Sequence, residues 1–141
     1  MQEELSTLRL NLMRLLYLMM FAFLASTKWP LMISHRHWGL MEGVAFVLLA
    51  ALGGVAALGL RYPVKMLPIL IFEFLWKALW LLSIALPLWR AGQIDADTAQ
   101  TLKDTGFGVI VSLLVMPWGY IFRQYVLAPG DRWMPRKGRS N

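Results

Sequence analysis

The chain contains no cysteine. That excludes disulfides, thiolate metal sites, iron–sulfur clusters and cysteine nucleophiles, while leaving the redox compartment open. Charge is scarce as well: 16% of residues are charged, and eight are acidic. There are two histidines, His35 and His37, adjacent on one connection with no third ligand nearby. As a metal site they are weak candidates, and a solvated interfacial pair is the simpler reading. Ser-x-x-Lys, His-Glu-x-x-His, a glycine-rich phosphate loop and a nucleophile elbow are all missing. Asp95-x-Asp97 begins like a calcium loop but lacks its glycine and distal glutamate. The chain is therefore not expected to be an enzyme, and no cofactor can be named.

What the chain has instead is apolar surface in long blocks, 58% hydrophobic residues in all. Four runs stand out, at about 8–29, 39–60, 66–89 and 106–127. Each approaches the roughly 20 residues that cross a bilayer as a helix. The expected fold is all-α: a polytopic membrane protein, one domain over 1–141, built as an antiparallel bundle of four transmembrane helices. The first run competes with a signal peptide ending near Ala25-Ser26. Glu3 and Glu4 in place of a basic start, and Arg14 inside the run, favour a retained helix. Asp95 is placed to cap a short surface helix at about 96–104, and 128–141 reads as a basic tail. Pro117 should kink the fourth span.

Four spans put both termini on one side, and the basic residues choose it. Arg9, Arg14, Arg61, Lys65, Arg123, Arg132, Arg136, Lys137 and Arg139 fall on that side. Lys28, Arg36, Arg90 and Lys103 fall on the other, diluted by Asp95, Asp97 and Asp104. Both termini are expected in the cytoplasm. The net charge of +6 then implies anionic lipid headgroups rather than nucleic acid as the counter-charge. Trp29, Trp38 and Trp89 would sit at the outer interface, with Tyr62, Tyr120 and Tyr125 as further anchors.

The second span is rich in small residues. Gly39 and Gly43 form a Gly-x-x-x-Gly pair, and Gly43, Ala50 and Gly54 continue one stripe. Small residues let membrane helices approach closely, so packing within the chain is favoured over a dimer interface.

The chemistry is concentrated in the third span, at Phe72-Glu73-Phe74-Leu75-Trp76-Lys77. A charge in mid-membrane costs about 2.5–3.5 kcal/mol on insertion scales, so Glu73 and Lys77 should face protein and pair. Glu73 four residues before Lys77 is the favourable orientation. Helical rise puts Glu73 about 10 Å from the cytoplasmic end and Lys77 near the middle. Glu42 and Arg14 lie about one turn inside their own spans, so antiparallel packing would allow a ladder Arg14–Glu73–Lys77–Glu42, lined by Trp76 and Trp80. Two readings stand: a structural ion pair tying helices together, or a contact for a ligand headgroup, proton or ion.

With these residues in hand, the chain resembles a group of small bacterial membrane proteins. The resemblance is carried by Leu60-Arg61-Tyr62-Pro63-Val64-Lys65-Met66-Leu67-Pro68, by Phe72 to Lys77, and by Ala128-Pro129-Gly130-Asp131-Arg132-Trp133. In size and topology such proteins are similar to the DoxX-like superfamily. The resemblance implies a bacterial inner membrane and four helices, and carries over no site residue.

The expected function is accessory: a small non-catalytic subunit that docks on a larger membrane complex or holds a lipid or quinone-like molecule. A homodimer is a further expectation for the partner. The main alternative is a small proton- or ion-coupled transporter using Glu73, against which the occupancy of that carboxylate by Lys77 counts. A component of a quinone-linked redox pathway rests on architectural analogy alone.

Overall fold

The computed structural model describes residues 5–34 and 39–135. Residues 6–116 form one compact unit, and Leu5 with 117–135 belongs to a second. Among the described residues every regular element is helical. His35 and His37, with Trp38 and the tail cations Arg136, Lys137 and Arg139, lie outside the described residues.

The first helix, α1 (Thr7–Ile33), starts where the Ser6 hydroxyl accepts the Arg9 backbone N–H at 3.2 Å. That bond satisfies one of the donors a helix start leaves free. Pro30 lies in its last turn, and the Ser34 N–H closes on the Pro30 carbonyl. Helix α2 (Leu40–Ala56) tightens into a 3₁₀ turn over Ala57–Leu60.

Helix α3 (Leu67–Trp80) carries Pro68 in its first turn, where a missing N–H costs nothing. It widens into a π-turn at Leu81–Ala85 and continues as α4 (Leu86–Arg90), which contains Pro87. Proline in a helix leaves a carbonyl without its donor, and an inserted π-turn is one way to absorb the mismatch. A Schellman closure ends α4. Gln93 N–H donates to Leu88 and Gly92 N–H to Trp89, with Gly92 left-handed at φ 65°.

Helix α5 (Ala96–Val115) begins at Asp95, whose carboxylate accepts the Thr98 N–H at 2.7 Å. Bonds from the Thr98 side chain and backbone hold the Asp95 carboxyl below its ordinary range. The surface helix expected at 96–104 and the span expected from 106 are thus one continuous helix. Gly106 and Gly108 do not interrupt it, because no positive φ is required at either. The kink expected at Pro117 is instead a break. Met116 is extended at ψ 137°, as the residue before a proline prefers, and α5 stops at Val115. Helix α6 (Trp118–Phe122) and a π-turn over Arg123–Leu127 follow.

Within residues 6–116, α1 packs mainly on α2 and α3 on α5, while α1 also touches α5. Side chains of α1 close the ends of its neighbours. Arg9 donates to the Leu114 and Val115 carbonyls, at 3.0 and 2.9 Å, where α5 has stopped. Arg14 Nε donates to the Leu60 carbonyl at 3.2 Å, and the buried Tyr17 hydroxyl to Pro63 at 2.8 Å. A cation at a helix C-terminus also meets the negative end of the helix dipole. Towards the far end Trp29 Nε1 donates to the Ala50 carbonyl at 3.2 Å, and Lys28 lies 4.7 Å from the centre of the Phe46 ring.

Three helical stretches, Thr7–Ile33, Leu40–Leu60 and Leu67–Arg90, are long and apolar enough to cross a membrane. A fourth is added if Ala96–Val115 and Trp118–Leu127 together make one broken span. No more than 28% of the most apolar window of any of the three is buried inside the chain. Fewer than a third of the residues in those windows are therefore buried within the chain, and many large apolar side chains, Leu40, Leu48, Leu79 and Leu82 among them, are exposed.

Candidate functional site

Glu73, Trp76 and Lys77 fall three and four residues apart on α3, so one helix face carries all three. Glu73 is 6% exposed. Lys77 Nζ lies 2.5 Å from its Oε1, and Trp76 Nε1 donates to its Oε2 at 2.7 Å. The ammonium also stands 5.6 Å from the centre of the Trp76 ring, a cation–π distance. The carboxylate has a donor on each oxygen, both from its own helix. The pair is neutral as a unit, which lowers the cost of burying either charge.

Room for the ammonium comes from α5. A methyl group at Gly108 would stand 2.5 Å from Lys77 Nζ and 3.2 Å from Cε, so the lysine stem lies in the space a side chain would fill. Thr105, Gly108 and Ser112 follow at helical spacing, and Thr105 and Ser112 are buried. The charge and motif patterns of the sequence do not single out this small, weakly polar stripe of α5. Its spacing of three and four is the signal that could have found it.

The four candidate charges do not converge. Arg14 is turned to Leu60 and to Asn11 Oδ1 (2.8 Å), at the end where α2 finishes. Glu42 is exposed in the first turn of α2, and among the described residues Glu73–Lys77 is the one ion pair. Trp80 is half-buried one turn beyond Trp76.

Among the small residues, Gly39 is exposed, and a methyl group added there would meet nothing within 4 Å. Gly54, by contrast, would meet the Trp29 ring at 3.7 Å, and Ala50 is buried. Gly43 is half-buried. Along α2 and its 3₁₀ turn, the tightest approaches fall at two glycines outside the expected stripe. A Cβ on Gly53 would stand 2.7 Å from Leu24 Cβ, and one on Gly59 would clash with the Tyr17 ring.

Beyond the pair, a groove of about 290 Å³ opens at the π-turn, lined by Leu81, Ala85, Leu86, Trp89 and Leu102. Its lining is almost wholly apolar, so it suits an acyl chain or a flat ring rather than a polar metabolite. No group of three or more histidine, aspartate or glutamate side chains among the described residues could hold a metal ion. Comparison with protein-family models, with curated protein sequences and with solved structures finds no match to this chain. Its own geometry carries the functional argument.

Proposed function

We propose that this chain is a polytopic integral membrane protein that works by binding rather than by catalysis. In this reading it is a small accessory component that holds a lipid or quinone-like molecule, or docks on a larger membrane complex. Four crossings, the fourth broken at Pro117, give an antiparallel bundle with both termini on the basic, cytoplasmic side of a bacterial inner membrane. The observation that carries this reading is a contrast. The long helices bury no more than 28% of their most apolar windows, while the buried charge is satisfied by neighbours on its own helix. Large apolar side chains are exposed along these helices, and the groove beside Trp89 is lined by apolar side chains, which supports an apolar ligand in this reading.

A transporter coupled through Glu73 is the weaker reading. A coupling carboxylate must exchange its partner for a proton or ion, and both Glu73 oxygens are held within α3. The test is mass spectrometry of the gently extracted protein, beside Trp89→Ala. Trp89 is 67% exposed, so its removal should leave the fold intact. A retained apolar molecule that is depleted in the variant is the expected result. A bare chain in both preparations, with no partner protein, would overturn the proposal.

A further inference from the structure

One end of the residue 6–116 unit is basic in a way the opposite end is not. Arg9, Arg14, Arg61 and Lys65 gather where α1 begins, α2 finishes, α3 begins and α5 stops, as the bonds to Leu114, Val115, Leu60 and Pro63 require. The carboxylates Glu42, Asp95 and Asp97 sit at the starts of α2 and α5, at the other end. Arg9 and Arg14 are spent on helix carbonyls. Among the described residues Arg61 and Lys65 are not.

Both of these cations lie at cation–π distance from a single aromatic ring. Arg61 Cζ lies 5.3 Å and Lys65 Nζ 5.2 Å from the centre of Tyr62, which is 39% exposed. Among the described residues neither is paired with a carboxylate. The turn beneath them is fixed. Tyr62 N–H donates to Leu58, Met66 N–H to Tyr62 and Leu67 N–H to Val64, and the buried Pro63 takes the Tyr17 hydroxyl on its carbonyl. Two like charges beside one ring raise the local positive potential, and an anion within reach of both lowers that cost. Guanidinium offers a planar fork to phosphate oxygens and ammonium a point charge, while a tyrosine belongs at the depth of lipid headgroups.

We infer that Arg61, Tyr62 and Lys65 form a preorganised site for the phosphate of an anionic phospholipid headgroup at the turn between the second and third spans. The inference rests on the membrane reading above. The site is separate from the apolar groove, which lies at the opposite end of α3–α4.

The experiment titrates the detergent-solubilised full chain with phosphatidylglycerol or phosphatidylcholine and reads bound lipid by native mass spectrometry. Arg61→Gln/Lys65→Gln is compared with Arg90→Gln/Lys103→Gln, which removes two exposed cations from the far end. Each basic residue near an anionic surface is worth about a factor of five, so the first variant should bind phosphatidylglycerol roughly thirtyfold more weakly. Phosphatidylcholine binding and the far-end variant should change little. Should the glutamine pair fail to fold, Arg61→Lys/Lys65→Arg keeps both charges and should keep the preference for phosphatidylglycerol.

Equal phosphatidylglycerol binding by wild type and the glutamine pair would overturn the site. So would an equal loss in the far-end variant, or displacement of the lipid by millimolar inorganic phosphate. Alkaline carbonate extraction separates the two levels. Protein released from membranes by carbonate refutes the membrane reading itself, whereas retained protein without headgroup preference refutes only this site.

Discussion

The α1–α2 pair and the α3–α5 pair solve the same packing problem with opposite means. Between α1 and α2, glycines admit bulky side chains at fixed positions: Leu24 against Gly53, Trp29 against Gly54, and the Tyr17 ring against Gly59. Tyr17 and Trp29 are then pinned by hydrogen bonds to backbone carbonyls. Between α3 and α5, one glycine, Gly108, admits the flexible end of a lysine whose charge is answered on its own helix. The third span buries only 17% of its most apolar window, against 28% for the first two. The lesson is that glycines set the close approaches in both pairs, and the pairs differ in whether a rigid ring or a flexible charged stem fills the space.

The largest effect should come from breaking the ion pair. Lys77→Met keeps the stem in the Gly108 space but leaves the Glu73 carboxylate without its counter-charge. It should cost roughly 3 kcal/mol in thermal unfolding of the solubilised protein. Adding Glu73→Gln should recover most of that loss, and a double variant no better than Lys77→Met would contradict the pairing.

The two glycines sharpen the contrast. Gly59→Ala drives a methyl into a ring that cannot retreat, and about 2 kcal/mol of destabilisation is expected. Gly108→Ala meets the mobile end of Lys77 and should cost less than about 1 kcal/mol. Equal losses in parallel melting curves would erase the distinction between the two pairs of helices. Tyr17→Phe removes only the hydroxyl donated to Pro63, and about 1 kcal/mol should follow in the same assay.

The smallest effect lies at the Asp95 cap. The carboxyl is depressed in the folded chain, so its contribution is complete above its unfolded value near 3.8 and is lost as pH falls through the lower folded value. A carbon-detected titration of Asp95 should find its midpoint below 3.8, and a midpoint at or above that value would show that the cap is not formed.

Much of the architecture was legible because apolar run length is a strong signal. The helices over Leu40–Leu60 and Leu67–Arg90 begin and end within a few residues of the runs that announced them. The Glu73–Lys77 pair was legible because i,i+4 spacing dictates it. What the sequence could not convey was the third dimension of the packing. Nothing in the spacing of Arg9 or Arg14 says that each would close another helix's carbonyls, since that depends on where α5 and α2 stop. Proline at 117 announced a bend, but kink and break share the same local chemistry, and only the extended backbone at Met116 distinguishes them. Gly53 and Gly59 were hidden because a glycine-rich run offers several equivalent stripes, and the partner side chains on α1 select among them.

The decisive measurement is native mass spectrometry of the gently extracted wild type beside Lys77→Met. Wild-type protein should carry an apolar molecule or a partner protein, and the variant should carry it too while melting lower. A molecule lost from a folded Lys77→Met protein would contradict this, because the pair would then be the binding site rather than a neutralised element of the packing.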